Sequence, residues 1–394
     1  MNLPRFIQIH TLHSYSGALL NRDDAGLAKR LPYGDAVRTR ISSQCLKRHW
    51  RVADDAFALA KLNVPMAVRS RVTLGRIRDR LVEQGVDSAA AQAAAEGLRA
   101  AGLLDKGKDL KGKEALETGQ AVLLGVAEIA YLVQRCAALT KEHTEEKALK
   151  SAIAAFLKDE KKNIEALPHG SGLESALFGR MVTSDVLASR DAAVYVAHAF
   201  TVHEAQVEND YFTVVDDLLR DAGEQGSAGI FDTELSSGLY YGYVVVDVPQ
   251  LVANLEGIGM KEWASAPAEK RELAGRVVLH LLHLIATVSP GAKRGSTAPF
   301  EWAKFMLVEA GDWQPRSLAG AFQNALELNQ PALRKAAVQR VADELAQLDA
   351  AYGAPLARRF LAVDDVSVPG AQRLPLNALA EWAQAAVTQA RAEA

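Results

Sequence analysis

RTRISSQCLKRHWR, residues 38–51, holds five cations and no acid in a chain whose formal net charge is −3. Arg38 and Arg40 alternate with small or apolar residues, as the end of a strand does, and Ser42 and Ser43 suit a helix N-cap. From there Leu46, Trp50, Ala53, Phe57 and Ala60 recur at helical spacing, which predicts an amphipathic helix carried on to Ala60. Gln44, Lys47, Arg48 and Arg51 fall together on the opposite face. The apolar stripe can bury while the basic face stays in water, beside a helix N-terminus whose N–H groups suit a phosphate. Most charge runs are plain solvated faces. This one has no interleaved acid, so the negative charge has to come from outside the segment.

At 394 residues and 49% hydrophobic composition the chain has room for two or three domains and a packed core. Its apolar runs fall short of a membrane span, and MNLPRFIQIH lacks a signal-peptide pattern. Cys45 and Cys136 make neither a metal nor a disulfide framework, which fits a reducing cytoplasm. Residues 1–51 carry nine Lys/Arg against three Asp, net +6, leaving −9 for the remainder. A basic surface on an otherwise acidic protein is a focused anion site.

Taken in order, Arg5 to His13 predicts a first strand, with Ile7 and Ile9 on one face and Gln8, His10 and Leu12 on the other. A charged loop, Asn21 to Asp35, leads to the basic helix. Residues 61–170 read as helical: Ser88–Ala101, a polar break at 106–114, Ala115–Ala138, and Thr144–Leu157 with Thr144 as N-cap. Strands return at Ala193–His203 and Gly238–Val248, separated by a loop-like excursion, Glu204 to Ser236. That length implies a functional arm or disorder. A helix at Glu272–Thr287, a strand at Lys304–Glu309, and helices over 315–394 broken near Val366–Gly370 complete the chain. Strand, helix, helical insert, two strands, helix, strand is the split βαβ order that RNA-recognition folds share.

Several segments carry a resemblance. LNRDD (20–24) followed by RISSQCLKRHWR (40–51), then GRMVTS (179–184), AHAFTVH (197–203), YFTVVDDL (211–218) and PGAK (290–293), resemble in the same order the CasC family. Its members are the backbone subunits of the type I-E CRISPR surveillance complex, Cascade, in the RAMP superfamily. The resemblance implies an α+β fold: a ferredoxin-like (RRM-like) palm, a large inserted helical fingers domain and a thumb loop. On this chain the palm takes 1–60, 176–203 and 237–310, the fingers 61–175, the thumb 204–236, and a C-terminal helical segment 311–394. It implies a cytoplasmic, non-catalytic protein, with no cofactor and no membrane partner. Its partners are then CRISPR RNA, the target DNA strand paired to the guide, other copies of itself head to tail, and other Cascade subunits.

Candidate RNA ligands follow from the residues and the resemblance together. Arg38, Arg40, Lys47, Arg48 and Arg51 suit phosphates, and Ser42 and Gln44 suit phosphate or ribose oxygens. The family match carries Arg22 and Lys29 over as RNA-facing. Lys293 and Arg294 lie on the SPGAKRG turn, either an ordinary solvated turn or a phosphate contact. Arg180 and Met181 join them through the match, in which the Met packs against a displaced nucleotide, although Met more often fills core. Tyr211, Phe212 and Thr213 lie in the thumb, where an aromatic ring stacks on a base or anchors the arm. The family usually carries Trp at the position of Tyr211.

Enzymatic readings have less support. Asp23 and Asp24 are paired carboxylates placed where related type III subunits hold an RNA-cleaving aspartate, and the alternative is a loop salt bridge beside Arg22. A metal-dependent ribonuclease using Asp23 and Asp24 is therefore the second function. His198 and His203 are five apart on a strand and cannot share a metal, and His280 and His283 lack a further ligand. No nucleotide-binding glycine loop, nucleophile elbow or zinc pattern occurs.

Overall fold

The computed structural model describes residues 3–103, 116–118, 121–159, 171–180, 190–215, 227–353 and 356–389. The chain divides into two compact units, residues 1–58, 195–246 and 275–394 in one and residues 59–194 and 247–274 in the other.

The first unit is built on strand β1 (Phe6–Ala18), which is long enough to serve two neighbours. Strand β2 (Arg30–Tyr33), strand β3 (Ala36–Ile41) and helix α1 (Ser43–Arg51) follow it. Farther along come β6 (Val194–Val196), β7 (Ala199–Thr201), β8 (Gln206–Val215) and the long β9 (Ser227–Asp247). Helix α8 (Glu269–Thr287) leads to β10 (Phe305–Gly311), helix α10 (Leu333–Tyr352), β11 (Ala357–Ala362), β12 (Ala371–Arg373) and helix α11 (Leu376–Thr388). The sheet runs β12–β11–β10–β1–β9–β7–β3–β2, with β6 and β8 also paired to β9. β1 and β10 are antiparallel, Phe6 opposite Gly311 through Leu12 opposite Phe305.

Period-two alternation decides which side chain meets which layer. Thr11, His13 and Tyr15 of β1 and Tyr240 and Gly242 of β9 line a small cavity with Leu46 and Trp50 of α1 and Ile285 of α8. The residues between them, Leu12, Leu239 and Tyr241, join Leu307, Phe322, Val338, Val341 and Leu345 in a core beneath α10. Both faces of the sheet are thus covered. Gln8 and His10, which the alternation places on a polar face, are buried. Gln8 Oε1 accepts from Tyr243 Oη at 2.7 Å and from the Arg316 amide at 2.9 Å, and His10 meets Tyr241 Oη at 2.9 Å. Glu309 collects His10, a bidentate Arg316 and Arg358, so no buried charge there lacks a partner. Burial alone would raise its carboxyl; the bonds from His10 and Arg316 outweigh that and hold it well below the ordinary carboxylate range.

Four expectations change. Helix α1 stops at Arg51, because Asp55 Oδ1 accepts from the Phe57 amide at 2.8 Å and turns the chain. Phe57 leaves the helix and stacks on His283 with centroids 3.5 Å apart, while its carbonyl meets His280 Nδ1 at 2.9 Å. The excursion 204–236 holds a two-stranded antiparallel ribbon, Gln206 opposite Ser237 through Tyr211 opposite Asp232. Residues 206–212 are exposed, so no apolar alternation announced the strand. Arg30–Tyr33 and Ala36–Ile41 form a hairpin around Gly34, at φ +62, where a Cβ would stand 1.6 Å from the Gln323 carbonyl oxygen. Finally, the C-terminal stretch contributes β11 and β12 to the sheet edge, antiparallel to β10 and parallel to β11 respectively.

The second unit carries a two-stranded sheet, β4 (Ala67–Ser70) against β5 (Val122–Gly125), in a stretch expected to be almost wholly helical. Its helices are α2 (Thr73–Glu83), α3 (Ser88–Ala100), α4 (Val126–Glu142) and α5 (Glu146–Asp159). Helix α4 therefore starts eleven residues after Ala115, its first turn closed by Glu128 Oε2 accepting from the Gly125 amide at 3.0 Å. Asp87 caps α3 through bonds from the Ala89 and Ala90 amides. The alanines of α3 let it approach α5 closely, and a Cβ on Gly97 would meet Ile153 Cδ1 at 3.1 Å. Leu74, Ile77, Leu98, Leu132 and Ile153 centre that unit's own core. Helix α5 begins at Glu146, two residues past the expected Thr144 cap. Short helices α6 (Leu173–Phe178) and α7 (Val248–Glu256) are joined by Asn254, whose Nδ2 donates to the Ala176 and Asp191 carbonyls.

Candidate nucleic-acid interface

The start of α1 joins the two motifs that carry the basic segment. Ser42 Oγ accepts from the Cys45 amide at 3.3 Å as the N-cap, and the Ser42 amide donates to Asn21 Oδ1 at 2.8 Å. Asn21 opens the loop that carries Arg22 and Lys29. Asp23 shapes that loop: its Oδ1 accepts from the Ala25 and Leu27 amides, both at 2.9 Å. The far end of the loop is held by Glu234 of β9, which accepts from the Ala28 amide at 2.9 Å and pairs with Arg30.

Cations from four segments converge here. The charges of Lys29, Arg48 and Arg294 all act on the Cys45 thiol, although burial outweighs them and raises it. Arg294 and Arg48 act with burial to lower His49, and Arg40 and Lys29 do so at His198. Arg22, Gln44, Arg48 and Arg294 are exposed; Lys29, Arg40, Lys47 and Arg51 are half-buried. Burial lowers the Lys47 ammonium, which a nearby anion would reverse. Arg48, His49 and Arg51 also fill the last turn of α1, where cations complement the helix dipole. Arg40 donates from Nε to the Arg30 carbonyl at 3.1 Å and from Nη1 to His198 Nδ1 at 2.9 Å.

The turn 290–294 brings the ribbon to this cluster. The Ala292 amide donates to the Leu19 carbonyl at 2.8 Å, fixing the turn to the end of β1. Lys293 donates from Nζ to Thr233 Oγ1 on β9 and sits 5.4 Å from the Phe212 ring centroid on β8. Arg294 is 3.1 Å from the Ser289 carbonyl through Nη2 and opens the one-turn helix α9 (Arg294–Thr297). Neighbours on one strand face opposite sides, so Tyr211, 63% exposed, and Phe212, 39% exposed, point away from each other. Glu208, Asp210 and Asp232 accompany them, so this part of the ribbon offers rings and acids rather than cations.

Three expected RNA ligands are engaged inside the fold. Arg38 is fully buried, donating to the Thr201 carbonyl at 3.1 Å, the Phe322 carbonyl at 3.0 Å and Asp35 Oδ1 at 3.3 Å. Arg180, in the second unit, forms a bidentate pair with Glu128 at 2.6 and 2.9 Å, each side chain 2% exposed. Ser42 is likewise buried and used as a cap. Met181 lies outside the described residues, as does the Thr213 side chain. Asn21, His49 and His198 stand in the cluster although the sequence did not single them out as ligands. The only early sign was their place inside the segments LNRDD, RISSQCLKRHWR and AHAFTVH. No group of three or more His, Cys, Asp or Glu suited to a metal ion occurs among the described residues, and no described helix is long and apolar enough to cross a membrane.

Comparison with solved structures finds a chain of a "CRISPR RNA-guided surveillance complex, pre-nicking" at 26% identity and TM-score 0.77. The match covers 97% of this chain and 100% of that one. A chain of a second "CRISPR RNA-guided surveillance complex" matches at 20% identity and TM-score 0.56, covering 97% and 99%, and bears on the fold alone. No curated protein matches the sequence. The model of the CT1975-like protein family matches residues 7–385, nearly the whole chain. The chain therefore belongs to the CT1975-like protein family, in agreement with the CasC resemblance of its motifs.

Proposed function

We propose that this protein is an RNA-binding backbone subunit of a CRISPR surveillance complex. The observation that carries the reading is the convergence of Lys29, Arg40, Arg48 and Arg294 from four chain segments at the foot of an exposed ribbon. Such a cluster suits the phosphates of a single strand and leaves base edges to pair with a target. Membership of the family and the full-length likeness to a surveillance-complex chain support it.

In its finer form the reading makes the protein a type I-E subunit that repeats head to tail along the CRISPR RNA, beside other Cascade subunits. The guide bases then pair with the target DNA strand. The strand order β10–β1–β9–β7, with α1 after β1 and α8 before β10, is the order a ferredoxin-like palm produces, and supports that assignment. The second unit then serves as fingers and the ribbon as thumb. The protein acts as a scaffold in the cytoplasm, without catalysis; Asp23, which a nuclease would need for metal, spends an oxygen on two amides of its own loop.

The test is to purify the tagged chain with its natural partners and extract nucleic acid. Protected guide-length RNA is expected, with no cleavage when complementary RNA and magnesium are added. Absence of bound RNA would refute the scaffold, and regularly spaced cuts would establish the ribonuclease alternative.

A further inference from the structure

His198 lies on the surface immediately before β7, whose Ala199 and Phe200 pair with Ile41 and Arg40 of β3. Arg40 Nη1 stands 2.9 Å from His198 Nδ1. An arginine always donates, so Nδ1 accepts and the ring hydrogen sits on Nε2. The contact thus selects a neutral imidazole with a donor still to offer at an exposed position. The charged groups that act on it are Arg40 of β3 and Lys29 of the preceding loop, both positive. With burial, they lower the His198 pKa. Among the described residues no acid acts on it, although Glu204 is only six residues away in sequence.

We propose that His198 is a phosphodiester-binding residue of this cluster, and that RNA binding there takes up a proton from solvent. A phosphate placed between Arg40, Lys29 and His198 accepts from Nε2 and draws the Arg40 guanidinium toward itself. Nδ1 then loses its donor and becomes free to accept a proton, and the imidazolium so formed has the phosphate between it and the two cations. A pKa raised on binding makes binding tighter as pH falls, through the window between the free and bound values. The ligand class is the backbone phosphate rather than a base, so the effect is independent of guide sequence.

The inference rests on the RNA-binding reading, and the test separates the two. Affinity for a uridine-only RNA, whose bases do not protonate in the range, is measured by fluorescence anisotropy at constant ionic strength for wild type and His198→Gln. Wild-type binding should tighten roughly fivefold between about pH 8 and about pH 5.5, and the variant should lose most of that slope. Calorimetry of the wild type near pH 6 in two buffers of different ionisation enthalpy should show net proton uptake, lost in the variant. Binding that is independent of pH, with no proton uptake, overturns the proposal and leaves the RNA reading standing. A slope that survives in His198→Gln assigns the proton to another group, His49 being the neighbour, and also overturns it. No binding at any pH overturns the RNA reading and the proposal together.

Discussion

Lys293 and Phe212 are 81 residues apart in sequence, yet the lysine Nζ stands 5.4 Å from the centre of the phenylalanine ring. The same ammonium donates to Thr233, so one cation on the turn after α8 holds both strands of the ribbon. A cation–π contact at such a site is worth about 0.5–1 kcal/mol, and a charged hydrogen bond about 1.5–3 kcal/mol. Lys293 is therefore a positioning residue for the ribbon as well as a candidate phosphate ligand.

Lys293→Ala should loosen the ribbon without unfolding the chain. Hydrogen exchange of the amides over 206–212 should quicken severalfold, while the amides of β1 and β10 keep their protection. Unchanged exchange in the ribbon would mean that strand pairing alone holds it. Lys293→Arg tests the chemistry, since it keeps the charge and the cation–π contact but lengthens the reach.

The exposed cations Arg48 and Arg294 should act as phosphate ligands irrespective of guide sequence. Replacing both with Ala should weaken RNA binding equally for unrelated RNAs. It should also lower the salt slope by roughly 0.7 for each phosphate that is no longer neutralised. Because both side chains are exposed, the melting temperature should stay within a few degrees of wild type. A slope that does not move would place the phosphates elsewhere.

For Arg180 the prediction is one of stability. Arg180→Ala leaves Glu128 charged and buried without its partner, which costs about 3–5 kcal/mol. Pairing Arg180→Met with Glu128→Leu removes both charges and should recover most of that loss. A residual of about 1 kcal/mol is expected, because Glu128 also closes the first turn of α4. Denaturant titration measures both variants. If the double variant is as unstable as the single, the pair contributes more than charge compensation.

The α1 segment shows how far the sequence could be read. Ser42 as N-cap and Trp50 as buried residue follow from local pattern, and both occur. The apolar spacing carried the helix on to Ala60, but spacing cannot see that Asp55 turns the chain and α8 takes Phe57. Arg38 was legible as a cation on a strand and illegible as a buried one, since its acceptors are carbonyls at 201 and 322. Arg180 fails for the same reason, its partner Glu128 lying 52 residues away. The ribbon was hidden differently: exposed on residues 206–212, it lacks the alternation that betrays a half-buried strand. Period and propensity report burial by local elements, and long-range hydrogen bonding leaves no period.

The ribbon aromatics carry the last prediction. Tyr211 faces Asp232 across the ribbon and Phe212 the opposite side, where Lys293 lies over its ring. The two rings therefore have different work. Phe212 is the ring held by Lys293, and Tyr211, the more exposed, is the one placed to stack on a base. Tyr211→Ala should leave most of the RNA binding energy in place, because the lost stacking of one base, about 1–3 kcal/mol, is a small part of a total spread over several phosphate-bound cations. It should instead blunt the periodic reactivity of guide bases to chemical probes in the assembled complex. Phe212→Ala should act like Lys293→Ala, quickening exchange over 206–212, with any loss of periodicity following from that. Swapped outcomes, with periodicity lost only in Phe212→Ala and exchange quickened only in Tyr211→Ala, would reverse the two assignments. Full periodicity in both variants would remove the ribbon rings from base displacement altogether.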